Sequence, residues 1–203
     1  MELSLRARVR AGDPAAFAQL FDDHAGVVHR HAVRVLGNWA TAEDIVSLTF
    51  LEAWRTRERV RVDGDGLQPW LLGIATNVMR NTARAARRHQ GALARLPLRD
   101  AVPDFADELA DRLADAEQLG AARRALEQLR RPEREVFALC VWAGLDSAAA
   151  AEALGIKVGT VRSRLSRARE RLRRLTEDEL ARGRAAAGRR RAPGEHVGRE
   201  TRW

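Results

Sequence analysis

Cysteine is nearly absent: Cys140 stands alone among 203 residues. A single thiol excludes an intrachain disulfide and any cysteine-rich zinc site, and the five histidines have no cysteine partners at metal-ligand spacing. Neither a metal nor another cofactor is expected. There is no tyrosine, β-branched runs are few, and Asp63-Gly64-Asp65-Gly66 lies between helical patterns rather than alternating ones, so strands have no signal. No apolar run approaches the roughly 20 residues that span a bilayer. Met1 to Arg6 lacks the apolar stretch of a secretory signal, so a soluble, cytoplasmic protein without membrane insertion is expected. Enzymatic chemistry is missing as well, with no phosphate-cradling glycine loop, no nucleophile–base pair and no metal-ligand cluster. Asp22-Asp23-His24 and His29-x-His31 read as solvated helix residues, and an enzyme is not expected.

What is present is positive charge in blocks. Lys and Arg total 36 against 28 Asp and Glu, a formal net charge of +8, and Lys157 is the only lysine. Arg80 to Arg99 holds six arginines and no acid, Asp104 to Glu117 holds six acids and one arginine, and Lys157 to Arg174 holds eight bases against Glu170 alone. Two basic blocks around an acidic one predict two nucleic-acid-facing modules joined by a segment that avoids phosphate.

The periodicities are helical throughout. Asp13-Pro14 is an N-cap followed by proline at the first helical position, and Phe17, Leu20, Phe21, Val28, Ala32, Val35 and Leu36 follow at helical spacing until Gly37. A second helix is expected to open at Thr41, with Asp44 three residues on, and to run to Trp54. Val46, Phe50, Ala53 and Trp54 make its core stripe, and Ile45, Leu48 and Leu51 widen the apolar sector beyond what a surface helix needs. That surplus fits either burial on two sides or a partner-binding face. Pro69 starts a third helix, with Trp70, Leu71, Ile74, Ala75 and Val78 inward and Asn77, Arg80, Asn81, Arg84 and Arg88 along one polar side, a phosphate track. From His89 to about Phe105 periodicity fails around Pro97 and Pro103, which marks a linker. About 20 such residues reach roughly 65 Å, close to two turns of DNA at about 34 Å each.

Beyond the linker, Leu119, Ala122, Leu126 and Leu129 outline one helix, and Pro132 starts another with Val136, Phe137, Leu139, Cys140 and Val141, the cysteine as a small core residue. A short helix of small residues then ends at Leu154, Gly155 allows a sharp turn, and a new helix begins near Val158 or Gly159. This is a helix-turn-helix pattern, with Ala151 small where the two helices must meet. Arg162, Ser163, Ser166 and Arg167 on the second helix suit base edges in the major groove, while Lys157 and Thr160 at its start suit a phosphate.

The stretch Gly155-Ile156-Lys157-Val158-Gly159-Thr160-Val161-Arg162-Ser163-Arg164-Leu165-Ser166-Arg167-Ala168-Arg169 resembles the promoter-reading motif of the extracytoplasmic-function (ECF) sigma factors of the sigma-70 family. Ala42-Glu43-Asp44-Ile45-Val46 with Thr49-Phe50-Leu51 and Ala53-Trp54-Arg55 is similar to their polymerase-binding helix, and Pro69 to Asn77 to the start of their minus-ten helix. The resemblance covers roughly residues 10 to 175. It implies an all-α chain of two small helical domains: sigma-2 over 1–90, a flexible linker over 91–114, and sigma-4 with the helix-turn-helix over 115–176. A flexible basic tail over 177–203 follows, fraying after its first turns.

By that resemblance the chain directs core RNA polymerase to promoters and helps melt them. Its partners would be the polymerase clamp helices and flap, promoter DNA and an anti-sigma factor. Asp44, Ser47, Leu48 and Leu51 would face the clamp helices, with apolar contact replacing charge because Ser47 and Leu48 stand where the family commonly has an amide and an acid. Arg57, Arg61 and Asp63, in a loop from Arg57 to Gly66 that holds a flipped base, would join Asn77, Arg80, Asn81, Arg84 and Arg88 on minus-ten DNA. Lys157, Thr160, Arg162, Ser163, Arg164, Ser166, Arg167 and Arg171 would read the minus-thirty-five element. The alternative is a stand-alone helix-turn-helix regulator that binds duplex DNA as a dimer.

Overall fold

The structure, a computed structural model, describes residues 3–61, 66–92 and 113–190. The expected linker and Asp63 fall largely or wholly outside them. Among the described residues there is no strand. Helices α1 (Leu5–Ala11), α2 (Pro14–Leu36) and α3 (Trp39–Thr56) are followed by a single 3-10 turn, Arg57–Arg59, and by α4 (Gln68–Ala92). Then come α5 (Leu113–Glu127), α6 (Arg131–Phe137), a π-helical turn over Ala138–Trp142, α7 (Ser147–Leu154) and α8 (Val158–Arg190).

Local chemistry explains the boundaries. The Asp13 carboxylate accepts from the Ala15 amide and Pro14 opens α2, while Gly37, at φ 70°, closes it in the left-handed conformation. Helix α3 opens at Trp39, earlier than Thr41, because the Asn38 side chain accepts from the Thr41 amide at 3.0 Å and caps the turn before Thr41 can. Asp146 caps α7 by accepting from the Ala148 and Ala149 amides, and Gly155, at φ 64°, ends it.

The chain divides into two compact units. The first takes α1 to α4 together with α6, α7 and the start of α8 through Ala168. Val9, Leu20, Val28, Phe50, Ala53, Leu67, Leu71 and Ala75 form one core of that unit. Ala32, Val33, Ala42, Ile45 and Met79 form a second, and Leu72, Val136, Leu139, Ala150, Ala151 and Val161 a third, which ties α4 to the helix-turn-helix. Cys140 packs at the margin of this third core. Each fully buried leucine contributes about 1.5–3 kcal/mol, so burial in these cores is a large part of what holds the unit together.

Close approach of α4 and α7 depends on a missing side chain. A Cβ placed on Gly73 would stand 2.4 Å from the Ala153 carbonyl oxygen. The missing side chain at Gly73 therefore lets the backbone of α7 come directly against α4. Polar bonds frame the same joint: Gln68 Nε2 donates to the Ala143 carbonyl at 3.2 Å, and Arg34 Nη1 to the Trp142 carbonyl at 2.9 Å.

The second unit takes α5 and the rest of α8. Ala121, Ala125, Leu129 and Leu175 are buried in it. Glu179, 8% exposed, accepts from Arg124 at 2.8 Å, from Gln128 at 3.1 Å and from Arg182 at 2.7 Å. These bonds give the segment after Thr176 partners that periodicity alone did not show, and α8 continues to Arg190 where fraying was expected.

Candidate nucleic-acid and partner interface

Helix α3 has two unlike sides. Ile45, Thr49, Phe50 and Ala53 are buried, while Asp44, Ser47, Leu48 and Leu51 are exposed. Leu48 and Leu51 keep 44% and 57% of their surface in water. The surplus apolar sector is thus divided: Ile45 is buried in a second core, whereas Leu48 and Leu51 face outward, and Trp54, expected in the core stripe, is 37% exposed. Trp54 lies on the same helix, edge-on to Phe17 at 4.9 Å. Leu48 and Leu51 border a cleft of about 540 Å³, whose other walls include Trp70, Ile74, Asn77 and Glu152. Ser47 turns its hydroxyl back to the Glu43 carbonyl at 3.3 Å, leaving the two leucines as the salient chemistry.

Past α3, Arg57 folds over the Trp54 ring at 4.7 Å and donates to the Trp54 carbonyl at 2.8 Å. Its guanidinium is fixed on the end of its own helix. Arg61 is exposed.

The polar side of α4 is continuous in space as in sequence, with Asn77, Asn81, Arg84 and Arg88 all exposed. Arg80 is different. Its Nε and Nη2 donate to the two carboxylate oxygens of Glu135 at 2.8 and 2.6 Å, and its Nη1 donates to Asn77 Oδ1 at 3.0 Å. Glu135 also accepts from Arg131 Nε at 2.9 Å. Burial pushes the Glu135 carboxyl up, but the bonds and charges of Arg80 and Arg131 outweigh it and hold it below the ordinary carboxylate range. The same bond to Glu135 raises the Arg80 guanidinium further.

On the first turns of α8, Lys157, Arg162, Ser163, Ser166 and Arg167 are exposed, and Thr160 and Arg164 are half-buried. The Lys157 carbonyl accepts from the Thr160 and Val161 amides at 2.9 and 3.2 Å, which starts the helix there. Arg167 reaches back to Ser163, its Nε donating to the carbonyl at 3.2 Å and its Nη2 to the hydroxyl at 3.3 Å. Val161 is fully buried and Leu165 packs beside it, so the exposed polar residues of these turns share the helix with a true core face. Arg171, half-buried, falls in the second compact unit.

His31 is 4% exposed, and burial, with the nearby Arg34 charge, pushes its imidazole down to about 4. It is a neutral core side chain rather than the solvated residue the sequence suggested. Among the described residues, no group of three or more His, Cys, Asp and Glu side chains could hold a metal ion, and no helix is long and apolar enough to cross a membrane.

Residues 20–89 match sigma-70 region 2, and residues 119–172 match sigma-70 region 4. The chain is 36% identical over 176 residues to the ECF RNA polymerase sigma factor SigL of Mycobacterium tuberculosis, covering 84% of this chain and 93% of that one. This chain belongs to the ECF sigma factors. Among solved structures, the sigma factor RpoE of Bartonella quintana, in complex with the anti-sigma factor NepR, is 26% identical with a TM-score of 0.63, over 79% of this sigma factor and 96% of that chain. CnrH, in complex with the cytosolic domain of CnrY, is 28% identical with a TM-score of 0.59, over 86% and 96%. The exposed leucines of α3 and the polar side of α4 lie within the region 2 match, and the first turns of α8 within the region 4 match. Two partners escaped the sequence reading of this sigma factor: Glu135, which no periodicity links to Arg80, and Arg6, whose role depends on contacts 55 and 60 residues away.

Proposed function

We propose that this sigma factor recruits core RNA polymerase through the Leu48–Leu51 side of α3 and opens promoters through the Arg57–Gly66 loop and the polar side of α4. It reads the upstream element through the first turns of α8, acts in the cytoplasm, carries no catalytic activity of its own, and is held in check by an anti-sigma factor. Asp44 and Ser47 face the same polymerase clamp helices. Arg57, Arg61, Asp63, Asn77, Arg80, Asn81, Arg84 and Arg88 serve the minus-ten DNA. Lys157, Thr160, Arg162, Ser163, Arg164, Ser166, Arg167 and Arg171 serve the minus-thirty-five DNA. The functional modules are residues 1–90 and 115–176, with the linker at 91–114 and a basic tail at 177–203.

The observation that carries this reading is the pair of exposed leucines on α3. A helix that buries Ala42, Ile45, Phe50 and Ala53 leaves Leu48 and Leu51 in water, an arrangement that favours a partner. The relatives RpoE and CnrH were solved with NepR and CnrY bound, which supports a protein regulator for this chain too.

Affinity for core RNA polymerase tests the proposal. The wild-type chain binds core, and Leu48→Asp weakens binding at least tenfold while its thermal unfolding is unchanged, because an exposed position accepts the charge. Equal affinity of the two proteins would move the polymerase contact elsewhere. A chain that ignores core and shifts duplex DNA alone as a dimer would be a regulator of another kind.

A further inference from the structure

Two arginines of α1 take no part in the surfaces above, yet both reach the segment between α3 and α4. Arg6 is only 7% exposed. Its Nη1 donates to the Arg61 carbonyl at 2.8 Å and its Nη2 donates to the Gly66 carbonyl. One turn on, Arg10 Nη1 donates to the Val60 carbonyl at 3.2 Å. A buried guanidinium is costly to desolvate, so a residue that only filled space here would be apolar. What a planar fork adds is the ability to hold two separate carbonyls at once. Apolar anchors bracket the same points, since Val60 and Leu67 are 1% and 2% exposed, whereas Arg61 between them keeps its side chain in water. The two ends of the loop are therefore fixed to the body of the first unit, by a cation on an element remote in sequence.

We infer that Arg6 is a positioning residue for promoter opening: by tying the carbonyls of Arg61 and Gly66 to α1, it holds together the two ends of the loop that receives the unstacked minus-ten base. Arg10 steadies Val60 at the entry to that loop. The inference rests on the proposed assignment of the loop to minus-ten DNA. Capture of an extruded base must offset the loss of stacking, and a loop whose ends can spread has to be ordered at the moment of capture. Arg6 and Arg10 fix the ends at Val60, Arg61 and Gly66 in advance, without touching the DNA.

The test uses the full chain assembled with core polymerase on forked promoter DNA that carries a fluorescent purine analogue at each minus-ten position in turn. Arg6→Ala is expected to speed tryptic cleavage at Arg57, Arg59 and Arg61 and to weaken base capture about tenfold at one position, with affinity for core and for the upstream duplex unchanged. Arg6→Lys, which can reach one carbonyl at a time, restores part of the capture. Should Arg6→Ala fail to fold, Arg10→Ala, at an exposed side chain, shows the same pattern in smaller measure. If these variants lower thermal stability but leave capture intact while Arg61→Ala reduces it, Arg6 is merely structural and the inference is overturned. If the loop becomes protease-sensitive and none of the variants, Arg61→Ala included, alters capture at any position, the minus-ten assignment has failed and the inference falls with it.

Discussion

The second half of α4 and the first turns of α8 are built from the same side chains, arginines with small polar neighbours, yet they stand in different states. At the start of α8, Lys157, Arg162, Ser166 and Arg167 are presented to water, and Arg167 bonds to Ser163 of its own helix. On α4, Arg80 is held bidentately by Glu135, and Asn77 is bonded to Arg80. The lesson is that identical charge can be latent or spent, and the difference lies in what packs opposite. Gly73 lets α7 come down on α4, and on the same helix Arg80 meets Glu135 of α6. For Arg80 to contact phosphate, Glu135 must be exchanged for the DNA backbone. For α8, no such exchange is needed.

Breaking the α4–α7 joint should give the largest effect. Gly73→Leu places a side chain against the Ala153 carbonyl, which a Cβ alone would already approach to 2.4 Å. Overpacking of this kind costs about 3 kcal/mol, read as a lower denaturant midpoint, and the variant should also free Arg80 for DNA. A midpoint equal to that of the wild type would mean that the close approach contributes nothing to the fold.

Next in size is the separation of base reading from phosphate binding. Arg167→Ala should lose about 2 kcal/mol of discrimination at one base pair of the upstream element. Arg84→Ala should weaken every minus-ten sequence alike and reduce the salt slope by about 1. These are measured by competition binding of the polymerase complex across promoter variants and salt concentrations. Uniform loss from Arg167→Ala would place it on phosphate and erase the contrast between the two helices.

The smallest effect concerns the spent pair itself. Glu135→Gln should remove about 1 kcal/mol of stability, because Arg80 keeps partial access to water and solvent screens the pair. The pH dependence has a definite sign. The Glu135 carboxyl titrates below its ordinary range in the folded chain, so its contribution is complete above the unfolded value of about 4.3 and disappears as pH falls through the lower folded value. Wild type and Glu135→Gln should therefore differ in unfolding free energy at neutral pH and converge on acidification. A constant difference across that range would exclude the carboxylate as its source.

Much of this contrast was legible in the sequence and part was not. Asp13-Pro14, Gly37 and Gly155 mark helix ends because capping is local, and α2 and α7 end where these residues place them. The start of α3 was misread at Thr41 because Thr41 and Asp44 imitate a capping box, whereas Asn38, directly after the helix-ending Gly37, already satisfies the first turn. The outward turn of Leu48 and Leu51 was visible only as an excess of apolar residues, compatible with either side. Pairs such as Arg80–Glu135 and Arg124–Glu179 are each 55 residues apart, and helical periodicity says which side a residue faces but not which helix lies opposite. For the same reason His31 read as solvated although it is buried.

Run-off transcription by core RNA polymerase across a library of promoter fragments, with and without this chain, tests the central claim most directly. Transcripts that require the chain, depend on promoter sequence, and shift in preference with Arg167→Ala are the predicted result. Transcription that is indifferent to the chain, or that requires it while ignoring promoter sequence, would contradict the account.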